Sequence, residues 1–480
     1  MKIYNVKQRG ICFLAIILIS ISMIAEVKVF SSPGDLSAIP HIKGATNYSV
    51  KVNGQSSFVY KSDNYWTASD NYARKYSDSV AFTNFEFKNE PVNVEINCNF
   101  AVNSVRIRPN IDSLDLSDYS VTGNTIRFTI DKSKYLSVEV NNKKYPLFIF
   151  ADTIETVKPT DYDVKFAAGV HNLGSKYELT AGQRVYIEGG AVVQATFLAS
   201  GDNIKIFGRG ILTSGHVAWK TWLTDKKLSP LSNSNIGNHK NYSISGITMA
   251  NTPGWCINGF SQGQNFWNLK IIAWTGNSDA PHLCGNGKFE HCFVFNNDDA
   301  LITNSGNNNI FRDNVVWKGP WGRVMISIQS SQDNNLWEDV DVIGNEAATS
   351  NLNGKNIGIF ELDNGVSKTN FTFRNIRIEE PTTAGLIHFD ATNRTAGATV
   401  PNTISNITIE NVTAKTLHSY NTPNQGEGYI STKVGSGLAG SISNVKFKCI
   451  TFGNTMVSSL AEAHIVANGT TPIFDNSACY

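Results

Sequence analysis

Short runs of alternating apolar and polar residues fill the chain from Asn47 to Asp152. One such run places Val92, Val94 and Ile96 at every second position. A period of two is the pattern of half-buried strands, and turn signals such as Asn53-Gly54 separate the runs. The pattern predicts an antiparallel β-sandwich over residues 41–157.

A different pattern recurs beyond this region, in which apolar residues flank a polar or small one without any helical period. The first four copies begin at nearly equal intervals, and four later copies are more widely spaced. In chain order the copies are Ile244–Met249, Phe266–Ile271, Phe289–Val294, Arg312–Trp317, Trp337–Val342, Phe373–Ile378, Ile404–Ile409 and Ile442–Phe447. Such spacing is typical of β-solenoid coils with loop insertions.

The repeats predict an all-β chain whose second domain, residues 158–480, is a parallel β-helix. Stacked coils form a long outer groove, which suits a polymer ligand. The alternatives are a β-propeller, whose blades have a longer and more regular repeat, and a Greek-key sandwich.

Composition narrows the classes of partner. The chain has 480 residues, of which 41% are hydrophobic, so it can bury a sizeable core. Its 41 Lys and Arg nearly balance 40 Asp and Glu, and no basic stripe indicates a nucleic-acid or anionic-membrane partner. A neutral or locally bound ligand fits better, and the oligomeric state stays open.

The N-terminus resembles an export signal. Lys2, Lys7 and Arg9 precede an apolar run from Ile11 to Ala25, about the length of a signal-peptide core and short for a spanning helix. Residues 1–31 are therefore predicted to be a signal peptide of a secreted protein, without stable membrane insertion after cleavage. An uncleaved anchor is the alternative.

Cysteine usage agrees with an oxidising compartment, because removal of the leader takes Cys12 away and leaves six cysteines. Cys449 with Cys479 is the first pairing to expect. Six cysteines allow fifteen connectivities, and free buried thiols are an equal alternative.

Three aspartates carry the candidate chemistry. Asp279 comes almost one coil before Asp298, which Asp299 follows directly. In a solenoid whose coils have nearly this length, the separation stacks the carboxylates. Adjacent residues on a strand face opposite ways, so a bend at Asn296-Asn297 is needed to aim both carboxylates outward.

Clustered carboxylates raise the pKa of at least one member, as a general acid requires. Glycosidic bonds are commonly cut by two such groups, one protonated and one ionised. The alternatives are a turn or a Ca²⁺ site, but calcium needs more oxygen ligands than three aspartates supply. No metal and no cofactor are predicted.

These residues resemble family 49 of the glycoside hydrolases, the dextranase and isopullulanase family. The resemblance rests on the Asp279 to Asp298-Asp299 spacing, on the run Asn297–Ala300, and on the junction segments Leu147–Asp152, Ala168–His171 and Tyr186–Ala191. It implies a β-sandwich followed by a right-handed parallel β-helix. It also implies that Asp298 is the general acid, while Asp279 and Asp299 activate water, with inversion at the anomeric carbon.

One departure and one absence bear on the substrate. The family often has Asp-Gly-Pro-Glu at the first aspartate, whereas this chain has Asp279-Ala-Pro-His282. Polygalacturonases share the helix and a related aspartate trio, but their Gly-His-Gly and Arg-x-Lys elements are missing after Asp299. A neutral glucan is therefore favoured over pectin.

Other polar and aromatic residues near the aspartates are candidate substrate contacts. Trp274 and Trp321 are predicted to stack on sugar rings, and His282 to bond Asp279 or the substrate. Arg323 could hold a hydroxyl or a carboxylate, and Asn277 completes the candidate set. For each residue a structural role is the alternative.

The sequence thus predicts a secreted inverting glycoside hydrolase of a polysaccharide, most simply an α-glucan such as dextran, cleaved at endo-1,6-α-glucosidic bonds, or pullulan. The alternatives are a polygalacturonase-like or sulfated-glycan hydrolase, and a non-catalytic glycan-binding solenoid whose aspartates are turn residues.

Overall fold

The computed structural model describes residues 26–66, 77–88, 90–110, 118–174, 176–234, 238–346, 359–362, 366–380, 385–415 and 428–479. The described chain is almost entirely β-structure. Its one α-helix, Trp219–Thr224, and the 3-10 turns Pro159–Asp161 and Lys226–Leu228 all lie in connections.

Twelve strands of the described chain precede the repeats. They are β1 (Val27–Val29), β2 (Ile42–Gly44), β3 (Tyr48–Val52), β4 (Gln55–Ser57), β5 (Tyr60–Asp63), β6 (Ser79–Phe87), β7 (Val92–Cys98), β8 (Val105–Arg108), β9 (Tyr119–Thr122), β10 (Thr125–Ile130), β11 (Lys134–Val140) and β12 (Leu147–Thr153).

These strands form two facing sheets. One has the order β2-β5-β6-β12-β11-β8 with β1 also paired to β6, and the other has the order β4-β3-β7-β10-β9. Apolar side chains from both sheets meet in one core. The expected antiparallel pairing holds except for β6 and β12, which run parallel.

The described strands that follow belong to the repeats. They are β13 (Val164–Phe166), β14 (Gly169–Asn172), β15 (Tyr177–Leu179), β16 (Arg184–Ile187), β17 (Ala191–Gln194), β18 (Phe197–Ala199), β19 (Lys205–Gly208), β20 (Ile211–Thr213), β21 (Leu231–Asn233), β22 (Ser243–Ser245), β23 (Thr248–Ala250), β24 (Ile257–Asn258), β25 (Asn265–Trp267), β26 (Lys270–Ile272), β27 (His282–Leu283), β28 (Lys288–Glu290), β29 (Phe293–Asn296), β30 (Leu301–Thr303), β31 (Ile310–Lys318), β32 (Met325–Ser327), β33 (Gln332–Asp333), β34 (Leu336–Asn345), β35 (Phe360–Leu362), β36 (Lys368–Thr369), β37 (Thr372–Ile378), β38 (Ile387–Asp390), β39 (Thr403–Ala414), β40 (Gly428–Ser431), β41 (Ser441–Phe452), β42 (Thr455–Met456), β43 (Ile465–Asn468) and β44 (Ile473–Asp475).

They wind into the predicted right-handed parallel β-helix. Strands β15-β18-β21-β24 and then β27-β30-β32-β35-β38-β40-β43 stack along one face, and the other strands form a 21-stranded sheet that wraps the remaining sides. The predicted repeat copies lie on this wrapping sheet. Within several of them a polar residue bends the strand with a positive φ, for example Asn268 at 56° and Asp313 at 54°.

The N-terminal sheets pack on the outside of the helix. Strands β6, β11 and β12 are buried on nearly every residue, because one side faces the sandwich core and the other faces the solenoid. Phe82, Phe148 and Phe150 meet Phe293, Phe295 and other outward residues of the helix in a second apolar cluster. The N-terminal sheets therefore cover one outer face of the coils that carry the aspartates.

The first strand lies inside the predicted leader. Residues 1–25, which carry most of the predicted signal peptide, are outside the described residues. Val27–Val29 pairs with β6, Lys28 forms an ion pair with fully buried Glu86, and Phe30 is 6% exposed. We propose that cleavage precedes Glu26, because removal of this strand would uncover the sheet.

Cys449 and Cys479 form a disulfide, which confirms the pairing expected first. Cys98, Cys256, Cys284 and Cys292 are free and buried. No helix within the described ranges has the length and apolar character needed to cross a membrane.

A buried ion pair joins the sandwich to the helix. Lys270 Nζ lies 2.6 Å from Asp152 Oδ2, and both side chains are fully buried. Arg209 Nε lies 3.4 Å from the same carboxylate and 2.9 Å from Glu86. Burial lowers the pKa of Lys270 to about 8, against the opposing attraction of Asp152.

The Lys270→Ala variant should lose about 3–5 kcal/mol of unfolding free energy at neutral pH, because Asp152 keeps a buried charge without its nearest partner. Urea unfolding measures the loss. The control is Arg127→Ala, which removes an ion pair to Glu95 with side chains 47% and 30% exposed and should cost about 1 kcal/mol or less. Equal losses in both variants would contradict the assigned role of the buried pair.

Candidate active site

Backbone hydrogen bonds between successive coils align four residues at one edge of the groove. Cys256 N donates to Asp279 O at 2.9 Å, Ala280 N to Asp299 O at 3.0 Å, and Ala300 N to Arg323 O at 3.0 Å. In parallel pairing this register stacks Trp255, Asp279, Asp299 and Arg323 one coil apart. Asp279 therefore pairs with Asp299, and Asp298 precedes that position by one residue.

The predicted bend is present where Asp298 and Asp299 lie. Strand β29 ends at Asn296 and β30 begins at Leu301, so both aspartates occupy the connection. Asn296 Nδ2 donates to Ser278 O at 3.0 Å and to Asp299 O at 2.8 Å. Asn297 N donates to Ser278 Oγ at 2.9 Å. Buried amides thus hold the bend that turns the carboxylates toward one another.

The three carboxylates form one cluster. One oxygen from each of Asp279, Asp298 and Asp299 lies within 4.8 Å of the other two. Asp298 Oδ1 accepts a hydrogen bond from Asp299 N at 2.9 Å, and Asp299 Oδ1 accepts one from Arg323 N at 2.6 Å. A Cβ at Gly322 would come within 2.2 Å of Asp298 Oδ1, so this close approach requires glycine.

Burial dominates the electrostatics of the cluster. It raises the pKa of Asp279 well above its ordinary value, and the charge of Asp299 adds to this effect. Burial likewise raises the pKa of Asp298, with further contributions from Asp279 and Asp299. Two of the three groups therefore favour the protonated form, as a general acid requires.

His282 supports the first aspartate. Its Nε2 lies 3.1 Å from Asp279 Oδ2, and burial lowers its pKa to about 4, so the imidazole is neutral at physiological pH. Asp279 Oδ1 is buried and has no hydrogen-bond partner among the described residues. An unsatisfied buried carboxylate oxygen is a place for water or a substrate hydroxyl.

The other predicted substrate contacts differ in how far their side chains are available to a ligand. Arg323 reaches the site, but its guanidinium forms an ion pair with Glu361, a fully buried residue. Trp321 is half-buried beside the bend, where its backbone N–H donates to Asn297 O at 3.0 Å, and its ring lies 6.4 Å from that of Trp66. Asn277 is half-buried in a turn with φ 54°.

The structure corrects the expectation that Trp274 stacks on a sugar ring. Its side chain is fully buried, and its Nε1 donates to Ser62 Oγ of the N-terminal sheet at 2.8 Å. The residue belongs to the outward face of the helix that the sandwich covers, so it anchors the two domains together.

Sequence reasoning missed several polar residues of the groove. Glu361 and His388 are paired on neighbouring strands β35 and β38 of the sheet that begins with β27, and the His388 ring lies 3.7 Å from that of Tyr429. Lys226 approaches Asp279 from the insertion after β20. A glutamate inside the apolar strand Phe360–Leu362 was the available signal for Glu361, whereas no periodic signal marks Lys226.

Metal binding would use the same oxygens. The three carboxylates could ligate a divalent cation, but the one clustered oxygen from each gives three ligands, fewer than the six to eight that Ca²⁺ prefers. The backbone N–H groups of Asp299 and Arg323 donate to these carboxylates, which suits groups that handle protons. We therefore assign no metal to the cluster.

Comparisons with known proteins agree with the fold. The model of the Glycosyl hydrolases family 28 matches residues 153–436. The structure of Dex49A from Penicillium minioluteum has a TM-score of 0.62 and 16% identity, and the match covers 93% of this chain and 96% of that one. At this identity the likeness shows the fold alone. No curated protein sequence matches the chain significantly.

Two further structures match with lower TM-scores. The Family 28 exopolygalacturonase of Yersinia enterocolitica has 11% identity and a TM-score of 0.32, with 94% of this chain and 95% of that one covered. The Agl-KA catalytic domain has 12% identity and a TM-score of 0.38, with coverage of 94% and 87%. The resemblance to family 49 stays a prediction, since the matching family is 28.

The Asp298→Asn variant should be more stable than the wild type at pH 7, by about 0.5–2 kcal/mol, because stabilising changes are common where an active site holds an unfavourable group. The raised pKa means that the folded state holds the proton more tightly than the unfolded chain. The contribution of Asp298 to wild-type stability is therefore largest below the unfolded value, near 3.8, and is lost as pH rises through the folded value.

Asparagine does not titrate, so the gain should shrink at pH 4. Unfolding midpoints at the two pH values measure it. The control Asp131→Asn changes a carboxylate that is 67% exposed and paired with Lys134, and it should gain nothing. A destabilised Asp298→Asn at pH 7 would contradict the charge account.

Proposed function

Since the chain belongs to family 28 of the glycosyl hydrolases, we propose that its aspartate cluster cleaves a polysaccharide with inversion, and that the substrate is a neutral α-glucan such as dextran or pullulan. The observation that supports this most is the trio itself, with two carboxyls of raised pKa beside a third that is more exposed.

Asp298 is the general acid in this proposal. Its carboxyl is 6% exposed and keeps its proton to higher pH than a free aspartate. As the bond between the anomeric carbon and the glycosidic oxygen breaks, Asp298 gives its proton to that oxygen. The leaving sugar then departs as a neutral alcohol.

Asp279 and Asp299 hold and deprotonate the attacking water. Each has one oxygen engaged by the protein, Asp279 Oδ2 by His282 and Asp299 Oδ1 by Arg323 N. Asp279 Oδ1 has no partner among the described residues, so it is free to accept from water. The water attacks the anomeric carbon from the opposite face, and its proton passes to Asp299, the more exposed of the two, because Asp279 favours its protonated form.

Distance alone does not select inversion. Two-carboxylate inverting sites keep their carboxyl groups roughly 6.5–9.5 Å apart, whereas retaining sites keep them about 5–5.5 Å apart. Here the nearest oxygens are within 4.8 Å. Inversion is supported instead by the paired aspartates: one oxygen of each is engaged by the protein, which orients both toward a shared water rather than leaving one as a free nucleophile.

A neutral substrate agrees with the charges beyond the cluster. The ion pair with Glu361 neutralises Arg323, so that side of the groove offers little attraction for uronate carboxylates. The balance of 41 basic and 40 acidic residues gives no long-range attraction for a polyanion.

A polygalacturonase-like or sulfated-glycan substrate is the second candidate. It is favoured by Lys226, which interacts electrostatically with Asp279 and forms no ion pair with any other described residue. A non-catalytic glycan-binding solenoid explains the fold equally well but not the raised pKa values of the cluster.

Export is part of the proposal. The basic and apolar residues of 1–25 favour secretion, and an extracellular polysaccharide is the partner that a secreted hydrolase would meet. The even set of six remaining cysteines, two of them in a disulfide, agrees with an oxidising compartment.

Incubation with dextran, pullulan and polygalacturonate, followed by NMR, should show new reducing ends whose first anomer is inverted. The Asp298→Asn variant should reduce kcat by about 10²–10⁴-fold, the usual contribution of a general acid. Asp131→Asn should keep full activity. Retention in the first product would overturn the mechanism, and full activity of Asp298→Asn would overturn the acid assignment.

A further inference from the structure

The residue stacked before Asp279 in the coil register is an indole. Cys256 N donates to Asp279 O, so Trp255 lies one strand spacing, about 4.8 Å, from the first aspartate along the groove. Trp255 is half-buried, unlike the fully buried Trp222, Trp274 and Trp317. Trp255 is therefore the tryptophan that combines solvent access with a position directly beside Asp279 in the stack of residues that continues to Asp299.

Neighbouring rings fix the orientation of this indole. Its centroid lies 5.6 Å from that of Trp222 and 5.6 Å from that of Phe260, with interplanar angles of 78° and 68°. The His282 ring, which bonds Asp279, lies 5.7 Å away. Edge-to-face contacts on several sides pre-organise a flat apolar surface, which costs a bound ligand little ordering entropy.

A cation lies over the same aromatic group. Lys226 Nζ is 3.4 Å from the centroid of Trp222 and 5.6 Å from that of Trp255. Its side chain is partly exposed, and no ion pair or side-chain hydrogen bond holds its ammonium in the described part of the chain. Its three donors are therefore available to an incoming group.

Close packing positions this cation. The short helix Trp219–Thr224 carries Trp222, whose Nε1 donates to Ser229 Oγ at 3.0 Å. A Cβ at Gly254 would come within 2.3 Å of the Trp222 ring, so the insertion docks only because residue 254 is glycine. The docked insertion delivers Lys226 to the groove beside Trp255.

We propose that Trp255 and Lys226 form the sugar-binding subsite next to the scissile bond, on the side of the N-terminal coils. A pyranose ring stacks on the Trp255 indole, and the Lys226 ammonium donates to an oxygen of that sugar, a hydroxyl of a neutral unit or a carboxylate of a uronate. This assignment rests on the proposed function and names the residues that select the sugar there.

The test compares steady-state kinetics of Trp255→Ala with those of Trp267→Ala on the polysaccharide that the wild type cleaves. Trp267 is 51% exposed and stacks on His291, on the sheet away from the aspartates. Trp255→Ala should raise KM about tenfold with a smaller change in kcat, because a stacking contact acts on bound substrate as well as on the transition state. Trp255→Phe should recover part of the loss, and Trp267→Ala should match the wild type.

A second pair of variants tests the cation. Lys226→Met should raise KM several-fold, whereas Lys220→Met, at an exposed position of the same insertion, should not. Parallel measurements with dextran and with galacturonan oligosaccharides show whether Lys226 binds a sugar hydroxyl or a uronate carboxylate. A KM effect that weakens at high salt indicates a uronate carboxylate, and one insensitive to salt indicates a hydroxyl.

Binding to the Asp298→Asn protein, followed by tryptophan fluorescence with the same oligosaccharides, separates failure of the subsite from failure of the function. A wild type that cleaves one glycan while Trp255→Ala and Lys226→Met keep its KM and affinity overturns the subsite alone. A wild type that neither binds nor cleaves any of these glycans overturns the proposed function and the subsite together.

Discussion

Parallel backbone pairing between coils is the constraint on which the rest of this structure depends. Each turn of the helix returns the chain to the same phase, so side chains one coil apart in the sequence become neighbours, as Asp279 does with Asp299 and Asp299 with Arg323. The varying loop lengths between them do not matter to the register. A site can therefore be assembled from single residues of consecutive coils without any long-range segment folding over it.

Burying carboxylates next to one another is unfavourable, because their charges repel and lose contact with water. Hydrogen bonds and packing around the cluster offset this cost. Buried amides of Asn296 and Asn297 tie the bend to Ser278 and Trp274, so mutual repulsion cannot open it easily. On the reverse side of the same coils Trp274 and Phe293 pack against the N-terminal sheets. The sandwich thus stabilises the coils that carry the aspartates from behind, while leaving the groove free.

The repeats and the aspartate spacing were readable from sequence because both follow the coil period. In the first repeat copy Gly246 bends the strand with positive φ, and in the later copies a polar residue does so, as Asn268 and Asp313 do. This bend explains why the pattern is neither a strand nor a helix pattern. Trp274 could not be assigned from spacing, since an outward residue of a coil faces either the solvent or the sandwich and only the tertiary packing decides. Lys226 belongs to an insertion, where the period carries no information.

The groove is electrostatically uneven along its axis, and this bears on which sugars it can select. On the later coils the positive charge of Arg323 is balanced by buried Glu361, with His388 3.8 Å from the same carboxylate. On the earlier coils Lys226 is held by indole faces, which attract a cation without satisfying its donors. A ligand oxygen therefore gains more from the earlier side than from the later one. In the proposed function, selectivity depends on contacts within one coil of the aspartates, where a change in the sugar would affect both binding and the placement of the anomeric carbon before Asp298.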